Sequence, residues 1–189
     1  MKHRPILAVL LAVAAFVLVG AQAASAHRGF GGGRLVFVQT NELAGNQIAV
    51  YHRGHDGQLT RIGTYATGGL GGAAAPGTES DRLASQGSLA FVPRHHQLIA
   101  VNAGSNTVSA FRLRGDMLEL ENVVPSGGQF PVSLGVRGGL VYVLNSGGAG
   151  SVSGFLLGPD GLTPIPGSGR SLGLANATPP NFLTSPGQV

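Results

Sequence analysis

The chain has 189 residues with 32 glycines, 11 prolines and no cysteine or tryptophan, and its 12 basic and 8 acidic residues give a formal charge of +4. The missing thiols exclude disulfides, cysteine nucleophiles and thiolate-bound metals. So small a positive balance argues against nucleic acid as a partner.

The chain opens with Lys2 and Arg4, an apolar run over 6–19, and the small-residue triplets Ala-Gln-Ala at 21–23 and Ala-Ser-Ala at 24–26. A basic start, a short apolar core and an A-x-A site describe a secretory signal peptide over 1–26, with the mature chain starting at His27 or Ala24. The alternative is a membrane anchor, but the run is short for a span of roughly 20 residues and a cleavage site follows it. No Cys follows Ala26, so a lipoprotein anchor is excluded. The expected product is secreted or held in the cell envelope or periplasm, has no membrane association after cleavage, and carries a charge near +2. Residues 27–33 are glycine-rich and read as a flexible leader.

Strand signals begin at residue 34. LVFVQTNELAGNQIAVY, ending at Tyr51, places alternating apolar runs on either side of a polar turn, which is the pattern of an antiparallel hairpin. The pattern returns as QLIAVNAGSNTVSAF over 97–111 and LVYVLNSGGAGSVSGF over 140–155. The closing aromatics Tyr51, Phe111 and Phe155 are 60 and 44 residues apart, and the surplus in the first interval falls where GGLGGAAAPGT, over 68–78, reads as a loop insertion. Each hairpin is followed by a tight turn and another strand-like run, at 58–65, 117–124 and 162–165. Runs at 88–92 and 132–136 lead into the second and third hairpins, and Phe182-Leu183 would lead into a fourth.

Four short strands in about 43 residues, repeated, predict an all-β fold: a β-propeller of four-stranded antiparallel blades. The units are 34–80, 85–128 and 131–175, with a stub at 180–189. A β-sandwich is the alternative, although it requires no repeated pattern, and a β-helix would need a shorter repeat. Three units and a stub are too few for a ring of four to eight blades, so the sequence reads as the N-terminal part of a longer propeller. Open apolar sheet ends would then favour self-association.

SQGSLAF at 85–91, QLIAVNAGSNTVSAFRL at 97–113, PSGGQFPVSLGV at 125–136 and GGLVYVLNSGGAGSVSGF at 138–155 resemble the secreted bacterial β-propeller lactonase family, related to 6-phosphogluconolactonase-like and carboxymuconate-cyclase-like proteins. The resemblance covers about residues 34–189. It implies a seven-bladed propeller, of which this chain would form about three blades, and lactone ring opening or closing with a small lactone or sugar-like ligand. It implies no cofactor.

In a propeller the second-to-third and fourth-to-next-first connections share the face that holds the central pocket. The charged residues on those connections are Glu42, Glu79, Asp81 and Arg82. Lactone hydrolysis needs a base for water and a cation or amide donor for the carbonyl oxygen. Glu79 or Asp81 with Arg82 would supply both, although a solvated loop cluster is the weightier reading of the four residues 79–82. Gln86, Asn102, Gln129 and Asn145 are candidate ligand-binding amides on the same face, and they also read as turn formers.

No metal site is expected. His95-His96 lies on a turn of the opposite face, where adjacent residues rarely converge on one ion, and His52 and His55 lack a helix to align them. Gly-Arg-Ser-Leu-Gly at 169–173 fits G-x-S-x-G without a strand–elbow–helix around it. Residues 69–74 mimic a dinucleotide fingerprint without a βαβ unit, and Asn176-Ala177-Thr178 is a glycosylation sequon with no weight in a bacterial host. A non-catalytic secreted propeller that binds a protein or glycan therefore stands beside the enzyme.

Overall fold

Alternating apolar and polar residues make the chain extended, and Gly-, Asn- and Asp-containing turns fold it back on itself as meanders. The first sheet is β1 (Arg34–Gln39), β2 (Gln47–Arg53) and β3 (Leu59–Ala66), all antiparallel. The second is β4 (Leu89–Val92), β5 (Gln97–Asn102), β6 (Thr107–Arg114) and β7 (Met117–Pro125). The third is β8 (Pro131–Arg137), β9 (Leu140–Asn145), β10 (Ser151–Gly158) and β11 (Gly161–Pro164), with β12 (Arg170–Ser171) pairing with β10 beyond the end of β11. The computed structural model describes residues 34–74 and 81–189, within the unit Gly31–Val189. The expected signal peptide at 1–26, the leader at 27–33 and Glu79 lie outside the described residues.

The chain is therefore all-β with antiparallel sheets, and the three alternating stretches are its three central hairpins. The middle sheet is covered on both faces. One face of β5 and β6, with Leu98, Ala100 and Phe111, packs on Ile48 and Val50 of the first sheet. The other, with Ile99, Val101, Val108 and Ala110, packs on Val132, Val141, Val143 and Phe155 of the third. Double coverage explains why β5 carries a continuous apolar run instead of strict alternation, since each of its six residues is buried. The third sheet is covered on both faces near its hairpin loop, where Val143 and Leu144 are both buried, and on one face alone further along β9 and β10. Leu140 and its cross-strand partner Leu156 stand exposed on the other face, with Tyr142 beside them.

Each sheet carries a register shift, the one in the third falling between Pro131 and Ser133. The register shifts between Val50 and Tyr51 in the first sheet and between Ala110 and Phe111 in the second, so Ile62 and Glu121 are the extra residues. A bulge re-aims side chains. Glu121 is turned inward, its side chain only 8% exposed, and pairs with Arg112 at 2.6 Å. Gln97, fully buried, donates to Glu121 and also to Gly158 O at 2.9 Å. Arg112 reaches Pro159 O at 2.6 Å, and the Asn122 amide pairs with both backbone groups of Leu162 at 2.8 and 3.1 Å. Polar side chains thus join the second sheet to the third at the end away from the hairpin loops. On the surface nearby, the hydrogen bond and charge of Glu119 raise the pKa of Arg114, which keeps it cationic at every ordinary pH.

One expectation is corrected, and one connection proves tightly packed. Phe182-Leu183 does not enter a strand; the Asn181 side chain accepts from Leu183 N at 2.9 Å and closes a turn, with Phe182 set partly into the core. The glycine run GGLGG is not a loose insertion where it is described. A Cβ on Gly71 would lie 2.3 Å from Asn41 O, one on Gly104 would lie 2.2 Å from Gly71 O, and one on Gly72 would lie 2.7 Å from the Ala103 Cβ. These glycines let two loops touch backbone to backbone. We expect Gly71→Ala to destabilise the protein by about 2 kcal/mol in denaturant unfolding. Gly45→Ala, whose Cβ would meet nothing within 4 Å, should change stability by less than about 0.5 kcal/mol.

Candidate functional site

The hairpin loops meet the inter-sheet connections in a continuous hydrogen-bonded lattice. The Asn41 side chain pairs with both backbone groups of Gly72, at 2.7 and 3.0 Å. Gly104 N donates to Leu70 O at 3.1 Å, and Leu70 N donates to Ser105 Oγ at 3.0 Å. Asn106 accepts from Ser126 N with its carbonyl and from Phe130 N with its side chain, at 2.9 and 2.7 Å. Ser146 N and Gly147 N donate to Phe130 O and Gln129 O. Buried loop backbone needs such partners because it has no strand neighbour.

Asn102 and Asn145, expected to bind ligand, lie inside this lattice with no exposed surface. Asn102 accepts from Asn46 at 2.9 Å and donates to Ser109 Oγ at 2.7 Å, and Ser109 donates onward to Thr67 O at 2.7 Å. Asn145 donates to Ser126 O and Ser151 Oγ, both at 3.3 Å. Both hold loops together. Gln129 is exposed and accepts from Thr178 Oγ1 at 2.8 Å, far along the chain from the remaining candidates.

Asp81, Arg82 and Gln86 share one segment, residues 81–88. Ala74 N donates to Arg82 O at 2.5 Å, and the Asp81 carboxylate accepts from Ala84 N at 3.1 Å. Further along, Ser85 Oγ donates to Val132 O at 2.7 Å, Ser133 Oγ donates to Gln86 O at 2.7 Å, and Leu134 N donates to Gly87 O at 2.9 Å. The segment is thereby fastened to β8, and exposed polar groups along it have a fixed floor.

A polar cleft of about 270 Å³ opens on this segment. Asp81 and Arg82 line it with Gln39, Thr40, Asn41 and Ser85. Both charged side chains are exposed, and neither takes part in an ion pair among the described residues. The carboxylate and guanidinium remain available as a base and as a planar donor of several N–H groups. A second cleft of about 350 Å³ shares Asp81 and Ser85 and adds Gln86, Phe182, Gly187 and Gln188. The chain's last residues form its far wall: Gly187 O accepts from Gln86 N at 3.1 Å, and Val189 N donates to Ser133 Oγ at 3.3 Å.

Gln39, missed in the sequence, did leave a signal there. It continues the inward-facing series Leu35, Phe37, and its cross-strand partner Ile48 is fully buried. A Gln in that series breaks the apolar pattern. Its Nε2 donates to Val101 O at 2.8 Å, while its Oε1 is buried beside the cleft with no hydrogen-bond partner. No group of three His, Asp or Glu side chains suited to a metal ion occurs among the described residues.

No protein-family model matches the sequence, and no curated protein is significantly similar to it. Solved structures do share its fold. One is a protein from Lactobacillus plantarum, 20% identical, with a TM-score of 0.50 over 72% of this chain and 41% of that one. Another is the periplasmic gluconolactonase of Pseudomonas aeruginosa, 18% identical, with a TM-score of 0.52 over 78% of this chain and 40% of that one. The chain thus spans about 40% of the length of these structures. At these identities the likeness is one of fold.

The lattice gives the asparagines a measurable role. Asn102→Ala removes the acceptor for buried Asn46 and the donor to Ser109, and it should cost about 2 kcal/mol in denaturant unfolding. Gln129→Ala, at an exposed position, should cost less than about 0.5 kcal/mol. Equal losses at the two positions would contradict the assignment.

Proposed function

We propose that this chain is part of an exported β-propeller whose cleft at Asp81 and Arg82 opens the ring of a small lactone. The observation that carries the proposal is the juxtaposition, in one polar cleft, of the Asp81 carboxylate and the Arg82 guanidinium, neither of which forms an ion pair among the described residues. The fold shared with a periplasmic gluconolactonase supports it, as do the three meandering sheets and the A-x-A site after the apolar N-terminal run. Among the described residues, no helix is long and apolar enough to cross a membrane.

The chemistry follows from the groups present. Asp81 accepts a proton from water as the water oxygen attacks the lactone carbonyl carbon. Negative charge builds on the carbonyl oxygen, where the Arg82 guanidinium donates to it. When the tetrahedral intermediate collapses, the bond from the carbonyl carbon to the ring oxygen breaks. The proton held by Asp81 passes to that oxygen, and water plus lactone becomes a hydroxy acid. Thr40 and Ser85 line the same cleft, and their hydroxyls help to orient a hydroxylated ring. Neither nucleophilic side chain nor cofactor enters the sequence.

On this reading Asp81→Asn lowers kcat/KM for D-glucono-1,5-lactone by at least about 100-fold, because the base is lost. Arg82→Ala lowers it by about 100-fold, because a donor to the developing oxyanion is lost. Ring opening is followed as acid release above the spontaneous rate. Unchanged turnover in both variants would overturn the site. Binding of the lactone without turnover by the unaltered protein would make this a sugar-binding propeller instead of an enzyme.

A further inference from the structure

Resting on the lactonase reading, we infer that the groove around Asp81 has two subsites and takes the lactone of a disaccharide aldonic acid, with the lactone ring in the polar cleft and the second sugar in the cleft walled by the C-terminal segment. The two clefts adjoin, because Asp81 and Ser85 border both. Small-molecule sites commonly enclose about 300–1,000 Å³. The polar cleft alone, at about 270 Å³, falls just below that range, whereas the two together lie inside it.

The chemistry of the second cleft matches a sugar that is bound but not attacked. Phe182 is set partly into the core and is held from below, so its ring is a fixed platform. A pyranose presents C–H groups on one face and hydroxyls around its edge. The first suits an aromatic surface; the second needs groups that both donate and accept. Gln86 and Gln188 provide such groups: both are exposed, and neither side-chain amide is used in a hydrogen bond among the described residues. The second cleft offers no charged group of its own beyond the shared Asp81. It therefore suits a neutral sugar and gives no cation to a phosphate. Phe182, Gln86 and Gln188 act in specificity, whereas Asp81 and Arg82 act on the ring.

The test compares D-glucono-1,5-lactone with cellobiono-1,5-lactone, which has the same reacting ring and one more glucose, using the full chain. The unaltered protein should favour the disaccharide lactone in kcat/KM. Phe182→Ala should remove on the order of tenfold from the disaccharide value, the scale of one apolar contact, and change the monosaccharide value less than about twofold. Gln86→Ala and Gln188→Ala, at exposed positions outside the core, should act in the same selective sense and serve where Phe182→Ala fails to fold. Turnover of both lactones without preference, or equal losses on both in the glutamine variants, would overturn the second subsite and leave the lactonase reading standing. Turnover of neither lactone by the unaltered protein would overturn the lactonase reading and the subsite with it.

Discussion

Loop backbone buried between sheets has to find hydrogen-bond partners without a neighbouring strand, and the rest of this structure depends on how that is met. Asn side chains stand in for the missing strand. The Asn41 side chain pairs with both backbone groups of Gly72, that of Asn106 accepts from Phe130 N, and that of Asn46 donates to Asn102. The contacts are possible only because the facing positions carry no side chain, as at Gly71 and Gly104. Each bond contributes about 1 kcal/mol, but a buried group left without a partner costs more than that, so the lattice is retained as a unit. Residues 81–88 hang from it and from β8, and they carry Asp81 and Arg82.

The hairpins were legible because side chains alternate with period two and the turns are written in Gly, Asn and Ser. Asn102 and Asn145 read both as turn formers and as ligand amides, and what the sequence does not show is their burial: the Asn102 side chain is bonded at both ends within the lattice, whereas the Asn145 Oδ1 is buried without a partner among the described residues. The glycine run 68–72 read as a loop insertion, which says nothing of the close approach it allows where it is described. Glycine serves both purposes, and composition does not distinguish them. The extra residue Glu121 was invisible because a bulge changes which face a side chain takes without changing the local sequence pattern.

The charged lining of the candidate cleft was legible, since few loop residues carry charge and Asp81 and Arg82 are among them. What the sequence hid was long-range. Phe182 and Gln188 approach residues 81–86 from about a hundred positions along the chain, Val189 reaches Ser133 of β8 from 56 positions away, and the segment that brings them reads as the start of another strand. Gln39 was hidden only by expectation, because a single polar residue in an inward-facing series is a signal when it is read against its neighbours Leu35 and Phe37.

The central claim is that the segment 81–88 and the end of β1 together form the ligand site. Amide resonances of the full chain, followed as D-gluconolactam is added as a non-hydrolysable stand-in for the lactone, test this directly. The account predicts shifts concentrated at Gln39, Thr40, Asn41 and residues 81–88, with the strands of the third sheet away from that segment unmoved. Shifts centred instead on the opposite end, around residues 94–96 and 112–121, or no saturable shift at all, would contradict it.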